Sequence, residues 1–125
     1  METLYRQWKD TVAFLMVYIR EAHPSDEWQM AINLEQDVVF EQPRSEAERR
    51  VVAGSCLLRL GTAMPCVVDS IDNLVDHAYA AWPERLFVVG TDGRIAFGSA
   101  QGPWGYDPAL LGAWLQDHAG SVVAP

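Results

Sequence analysis

Between Tyr18 and Trp28 the chain reads YIREAHPSDEW, a patch of Arg20, Glu21, His23, Ser25 and Asp26 capped by Trp28, whose acid, imidazole and hydroxyl groups can move protons or bind polar ligands. Glu21 and His23 are two residues apart, so in extended backbone both point to the same side. An imidazole beside a carboxylate is a proton donor or acceptor suited to neutral pH. A plainer reading stands next to it. His23-Pro24-Ser25-Asp26 also has the composition of a capped turn, with Ser25 or Asp26 bonding backbone amides. A second polar pair, Glu84–Arg85, follows Pro83 in the stretch WPERLFVV and is equally consistent with a structural ion pair. Metal ligation by His23 with Glu21 or Asp26 is not expected, and His77 and His118 have no ligand-like spacing to other donors. Cys56 falls within a predicted helix and Cys66 opens a predicted strand. With no C-x-x-C motif, both read as small buried hydrophobes. There is no glycine-rich phosphate loop and no G-x-S-x-G elbow.

These residues need elements to hold them. Val12 to Ile19 is a continuous apolar run, the pattern of a strand covered on both faces in a parallel sheet. Glu21 and His23 then lie just beyond its carboxyl end, where open α/β sheets bind ligands. Glu2 to Lys9 is helix-like without a visible N-cap, and in 31–40 the stretch DVVF suggests a short strand. Ser45 and Glu48 have capping-box spacing and open a helix that Gly61 ends, with Ala47, Val51 and Leu58 on one face. Cys66 to Val68 reads as a strand ending at Asp69, and Asp72 to Ala81 as a helix with Val75 and Tyr79 one turn apart. RLFVVG and RIAFG around Asp92–Gly93 form a hairpin signal. Asp107–Pro108 is an N-cap and first-turn proline for a last helix with Leu111, Trp114 and Leu115 on its apolar face, ended by Gly120.

Strands alternating with helices, closed by a hairpin and a helix, predict an α/β class protein. Its expected form is a thioredoxin-like three-layer fold with a mixed sheet in one domain, 1–125, whose first strand is missing. The 125 residues, half of them apolar and five of them Trp, suffice for a core without disulfides. Nine basic residues against seventeen acidic ones give a net charge of −8, which argues against nucleic acid or an anionic membrane as partner. No apolar run approaches the ~20 residues of a membrane span, and no signal-peptide pattern follows Met1. A cytoplasmic location is therefore expected, with an N-terminal anchor in a longer form left open.

Five blocks resemble those of the iodothyronine deiodinase family in the same order: FLMVYIREAHPSDEW at 14–28, PRSEAER at 43–49, PCVVDSIDN at 65–73, YAAWPERLFVV at 79–89 and GPWGYDP at 102–108. The resemblance implies a thioredoxin-fold selenoenzyme that removes iodine reductively from the rings of thyroid hormones. Thiols supply the electrons and no cofactor is bound. By family analogy Glu21 and His23 handle protons and help bind substrate, Glu84 joins them, and Tyr18 lines the cleft, with Ser25, Trp28, Pro83 and Arg85 as further substrate contacts. Pro83 holds the place where thioredoxin-like folds carry a proline, often cis, before the closing hairpin. Gln101 stands where some members have a basic residue, which weakens the case for recognition of a hormone carboxylate.

The family's nucleophile, a selenocysteine or cysteine in Gly-Ser-x-Thr-(Sec/Cys)-Pro-Pro-Phe, is not among these 125 residues. As written the chain is expected to be redox-inactive. A UGA codon read as stop, with the frame restarting at Met1, would account for this. Loss of a strand would leave sheet edges unpaired, so poor solubility or a homodimer is expected. The expected ligand is a small iodothyronine-like or other halogenated aromatic. A peroxidase-like enzyme and a non-catalytic binding module are the alternatives.

Overall fold

The computed structural model describes residues 1–26 and 40–118. Their elements are α1 (Glu2–Trp8), β1 (Met16–Tyr18), α2 (Glu46–Leu60), β2 (Cys66–Val68), α3 (Leu74–Tyr79), β3 (Phe87–Val89), β4 (Ile95–Gly98) and α4 (Pro108–His118). This is the expected order. The expected strand in 31–40, apart from Phe40, lies outside the described residues, as do Trp28 and Gly120. The chain divides into two compact units, Met1–Leu15 with Pro83–Pro125, and Met16–Trp82.

In the Met16–Trp82 unit β1 and β2 pair in parallel, Met16 opposite Cys66 and Tyr18 opposite Val68. Helix α2 lies between them in the chain. Ser45 caps it in extended conformation, its side chain accepting from the Glu48 N–H at 3.2 Å. Glu48 reaches back to the N–H of Arg44 at 2.7 Å, so the reciprocal half of the box closes one residue before the cap itself. Gly61, at φ 59°, ends the helix in the left-handed conformation that glycine adopts without a Cβ penalty.

The inward face of α2 differs from the expected one. Arg49, Ala53 and Cys56 are buried, whereas Val51 and Leu58 are 70% and 85% exposed. Arg49 takes the inward position because carbonyl oxygens await it there. Its guanidinium donates to the carbonyls of Asp69 and Ser70, and to Asn73 Oδ1 at 2.9 Å.

Helix α3 is shorter than the expected 72–81. Asn73 and Ala80, at φ 58° and 47°, stop it at both ends. Buried Asp69 starts it instead of a side chain at the cap position. Its carboxylate accepts the N–H groups of Ser70, Val75 and Asp76 at 2.8–3.0 Å.

The other unit is built on the hairpin. β3 and β4 pair antiparallel, Phe87 opposite Gly98, with an irregularity between Val88 and Val89. Gly93 is left-handed at φ 78° in the turn, where Asp92 Oδ1 accepts the N–H of Arg94. Val12, Leu86, Val88, Leu111 and Leu115 form the core, with Leu4, Trp8, Phe14 and Trp114 packed against it. Asp107 caps α4, as expected, through the N–H of Ala109 at 2.8 Å.

The apolar run 12–19 is therefore not one strand. The N–H groups of Thr11 and Val12 still bond the Trp8 carbonyl, and Val12 is buried in the hairpin unit's core, so extended pairing begins only at Met16. Among the described residues the parallel and antiparallel pairs form two two-stranded sheets rather than the expected mixed sheet. The cis peptide bond is Gly102–Pro103, not the bond before Pro83. Among the described residues no helix is long and apolar enough to cross a membrane.

Candidate active site

After β1 ends at Tyr18 the chain bends, and the segment 20–26 is laced to residues 40–42. Ser25 N–H donates to the Phe40 carbonyl at 2.7 Å, and the Gln42 N–H donates to Asp26 Oδ1 at 2.9 Å. Gln42 returns a two-point contact. Its Oε1 accepts the Glu21 N–H at 3.1 Å and its Nε2 donates to the Glu21 carbonyl at 3.2 Å. Asp26 thus bonds a backbone amide, though one sixteen residues on and not within its own turn, and the Ser25 side chain is exposed. His23 is half-buried before the fully buried Pro24.

Glu21 is the chemically distinctive group. Burial raises the pKa of its carboxyl above the ordinary 4.5, and the positive charge of Arg49 opposes that rise. Oε1 of Glu21 is buried and has no hydrogen-bond partner among the described residues, and the same holds for Nε of Arg49. On the other side of the loop Arg20 donates through Nε to Asp76 Oδ2 at 3.0 Å and lies 5.1 Å over the Trp82 ring. Asp76 is buried and also accepts the Trp82 N–H at 2.9 Å, while Trp82 Nε1 approaches the Glu21 carbonyl at 3.5 Å.

Tyr18 and Cys56 complete this locale, with the hydroxyl 3.6 Å from Sγ. Burial, followed by the charge of Glu21, pushes the Cys56 thiol up to about 11, with Arg59 pulling the other way. Burial also raises Cys66. Both are free cysteines held as thiols; Cys56 is buried as expected, whereas Cys66 is only half-buried. A groove of about 310 Å³ runs along Phe40, Gln42, Pro43, Arg44, Glu48 and Val52. It is lined by none of the residues nominated from sequence, and Gln42 is its link to Glu21.

The structure thus gathers Tyr18 and Glu21 in one unit, with His23 and Ser25 on the same segment. Pro83, Glu84 and Arg85 belong to the hairpin unit. There the Glu84 carbonyl accepts the Gly102 N–H at 3.0 Å, and a methyl group at Gly102 would collide with the Glu84 side chain. Burial, and behind it the charge of Glu84, raises the Tyr106 hydroxyl. Arg85 donates through Nε and a terminal nitrogen to the Ser99 carbonyl and stacks 5.0 Å from the Phe87 ring, a structural setting for its guanidinium.

A family-wide comparison decides what kind of protein carries this arrangement. The sequence pattern of the family described as iodothyronine deiodinase matches residues 1–119. The chain belongs to the iodothyronine deiodinase family. The type I iodothyronine deiodinase of Xenopus laevis is 36% identical over 105 residues, covering 84% of this chain and 39% of the relative. The thyroxine 5-deiodinase of Sparus aurata is 36% identical over 118 residues, 94% of this chain and 42% of the relative. The human thyroxine 5-deiodinase is 35% identical over 115 residues, 92% and 36% respectively. The chain therefore spans about two-fifths of the length of these deiodinases.

Sequence reasoning named Arg20 only as part of the polar patch, and did not single out Gln42, Arg49, Asp76 or Trp82 in this deiodinase-family chain. For Arg49 a signal existed: it shares helical spacing with the small residues Ala53 and Cys56, a stripe too shallow to be an apolar face unless a long side chain joins it. Gln42 carried none, because its partner lies 21 residues away.

Proposed function

We propose that the chain carries the proton-handling part of a thiol-dependent reductive dehalogenase acting on iodinated aromatic rings. Its relatives are named for thyroxine and iodothyronines, which makes iodothyronines the first substrates to test. Reductive deiodination replaces a ring carbon–iodine bond by carbon–hydrogen. Two thiols supply two electrons and become a disulfide, the carbon takes one proton, and iodide leaves with a second proton released to solvent. A carboxylic acid that surrenders its proton to the ring carbon serves this step.

The observation that carries the reading is Glu21, a carboxyl whose burial favours its protonated form, in a chain of this family. His23 is the proposed second proton carrier, and Tyr18, Ser25 and Trp28 are proposed substrate contacts. Glu84 is a second carboxyl candidate, and Pro83 and Arg85 stand as proposals beside it. The attacking atom is proposed to be the family's selenocysteine or cysteine, supplied by a segment outside these residues. With both thiols held protonated, Cys56 and Cys66 are poor substitutes.

The test is iodide release from thyroxine with dithiothreitol. It uses protein expressed from a reading frame extended upstream, with cysteine in the motif position, and the same protein carrying Glu21→Gln. Release that falls at least about tenfold in the variant supports the role of Glu21. Equal release overturns that role. Thyroxine binding without turnover in the extended protein favours the binding-module alternative.

A further inference from the structure

We propose that Gln42 is a positioning residue for Glu21, its carboxamide gripping both backbone polar groups of that residue and so setting the direction of the carboxyl group. The inference rests on the reading of Glu21 as a proton carrier. A primary amide offers a peptide both a donor and an acceptor in one plane whatever the pH. Gln42 uses both on Glu21, at 3.1 and 3.2 Å, three residues past the last residue of β1, so the side chain pairs with this backbone as a neighbouring strand would. Gln42 is itself fixed, since its N–H is bonded to Asp26 Oδ1 at 2.9 Å.

The grip matters because the carboxyl cannot orient itself. Its buried Oε1 has no hydrogen-bond partner among the described residues, so its direction is inherited from the backbone. The charged and titratable groups that face it come from α2, Arg49 and Cys56, and neither forms an ion pair or hydrogen bond with it among the described residues. Release of the backbone lets the loop 20–26 turn Glu21 toward water, and the desolvation that favours its protonated form falls.

The test uses the chain as it exists, with Gln42→Met, which keeps length and volume but removes both hydrogen bonds. Amide hydrogen exchange and the carboxyl 13C titration of Glu21 are read by NMR. The expected result is exchange of the Glu21 N–H accelerated at least tenfold, with the Asp69 N–H, bonded to the Tyr18 carbonyl, unchanged as a control for global opening. The proton affinity of Glu21 should fall at least threefold in the same variant. Faster exchange with an unmoved titration overturns the proposal and leaves Gln42 a structural loop residue. Unmoved exchange overturns it as well. Should the variant not fold, the wild type decides: carboxamide protons of Gln42 that exchange as fast as those of exposed Gln7 overturn the grip. The dehalogenase reading fails separately, when the extended protein releases no iodide while these signatures are present.

Discussion

Val12, Leu86, Val88, Leu111 and Leu115 fill the interior of the hairpin unit, with Ser99 as its buried polar residue, whereas the Met16–Trp82 unit buries Arg49, Asp69 and Asp76 beside Ala53, Cys56 and Pro24. An aliphatic interior is held by area and shape, tolerates isosteric exchange and is indifferent to pH. An interior of hydrogen-bonded charged groups is directional. Each group has named partners, and the loss of one leaves another buried and unsatisfied. Glu21, a carboxyl whose pKa burial raises, belongs to the second unit. There desolvation and the charge of Arg49 act on one carboxyl proton in opposite directions.

Replacing one member on each side breaks the comparison most directly. Arg49→Leu strips donors from two carbonyls and from Asn73, and should cost about 4 kcal/mol in urea denaturation; it should also raise the proton affinity of Glu21 further. Leu115→Ala, at 1% exposure, leaves a cavity in the apolar core and should cost about 3 kcal/mol. Its cost should be the same at pH 5 and pH 8, and a strong pH dependence would erase the distinction between the two interiors.

Smaller effects sharpen it. Asp69→Asn should cost about 2 kcal/mol at pH 7 through weakened bonds to three backbone amides. Burial by itself would raise Asp69, but those amides and Arg49 outweigh it and hold its pKa below the ordinary 3.8. Its stabilisation is therefore present above 3.8 and is lost as pH falls through the folded value. Glu21→Gln should change stability by less than about 1 kcal/mol, with the opposite sign of pH dependence. Because folding raises the pKa of Glu21, its contribution is full below 4.5 and is lost as pH rises through the folded value. Parallel denaturation series from pH 3 to 8 for both variants read the two signs. Matching slopes would contradict the assignment.

The elements were legible where local chemistry sets them. Ser45 with Glu48, Gly61, Asp92–Gly93 and Asp107–Pro108 all act within a few residues of themselves, and each does what its type predicts. What escaped depended on distant partners. The apolar run at 12–19 gave no sign that Val12 joins one interior and Met16 begins the other. Val51 and Leu58 are apolar at helical spacing, yet the inward face goes to Arg49, because the carbonyls of Asp69 and Ser70 reward a donor more than a methyl group. In the site, what was readable was the place of Glu21 just past a strand end, not its burial. The grip of Gln42 and the Arg20–Asp76–Trp82 cluster were not, since each spans 21 or more residues of chain.

Cys56 gives the Met16–Trp82 unit a built-in clock. With its thiol pushed up to about 11, roughly one molecule in ten thousand carries the thiolate at pH 7, and that sulfur is buried against the Tyr18 hydroxyl. An alkylating reagent therefore finds Cys56 chiefly when the packing of α2 opens, while half-exposed Cys66 reports on ordinary access in the same tube. The ratio of the two labelling rates measures how often this unit breathes, without a dye, a tag or a mutation.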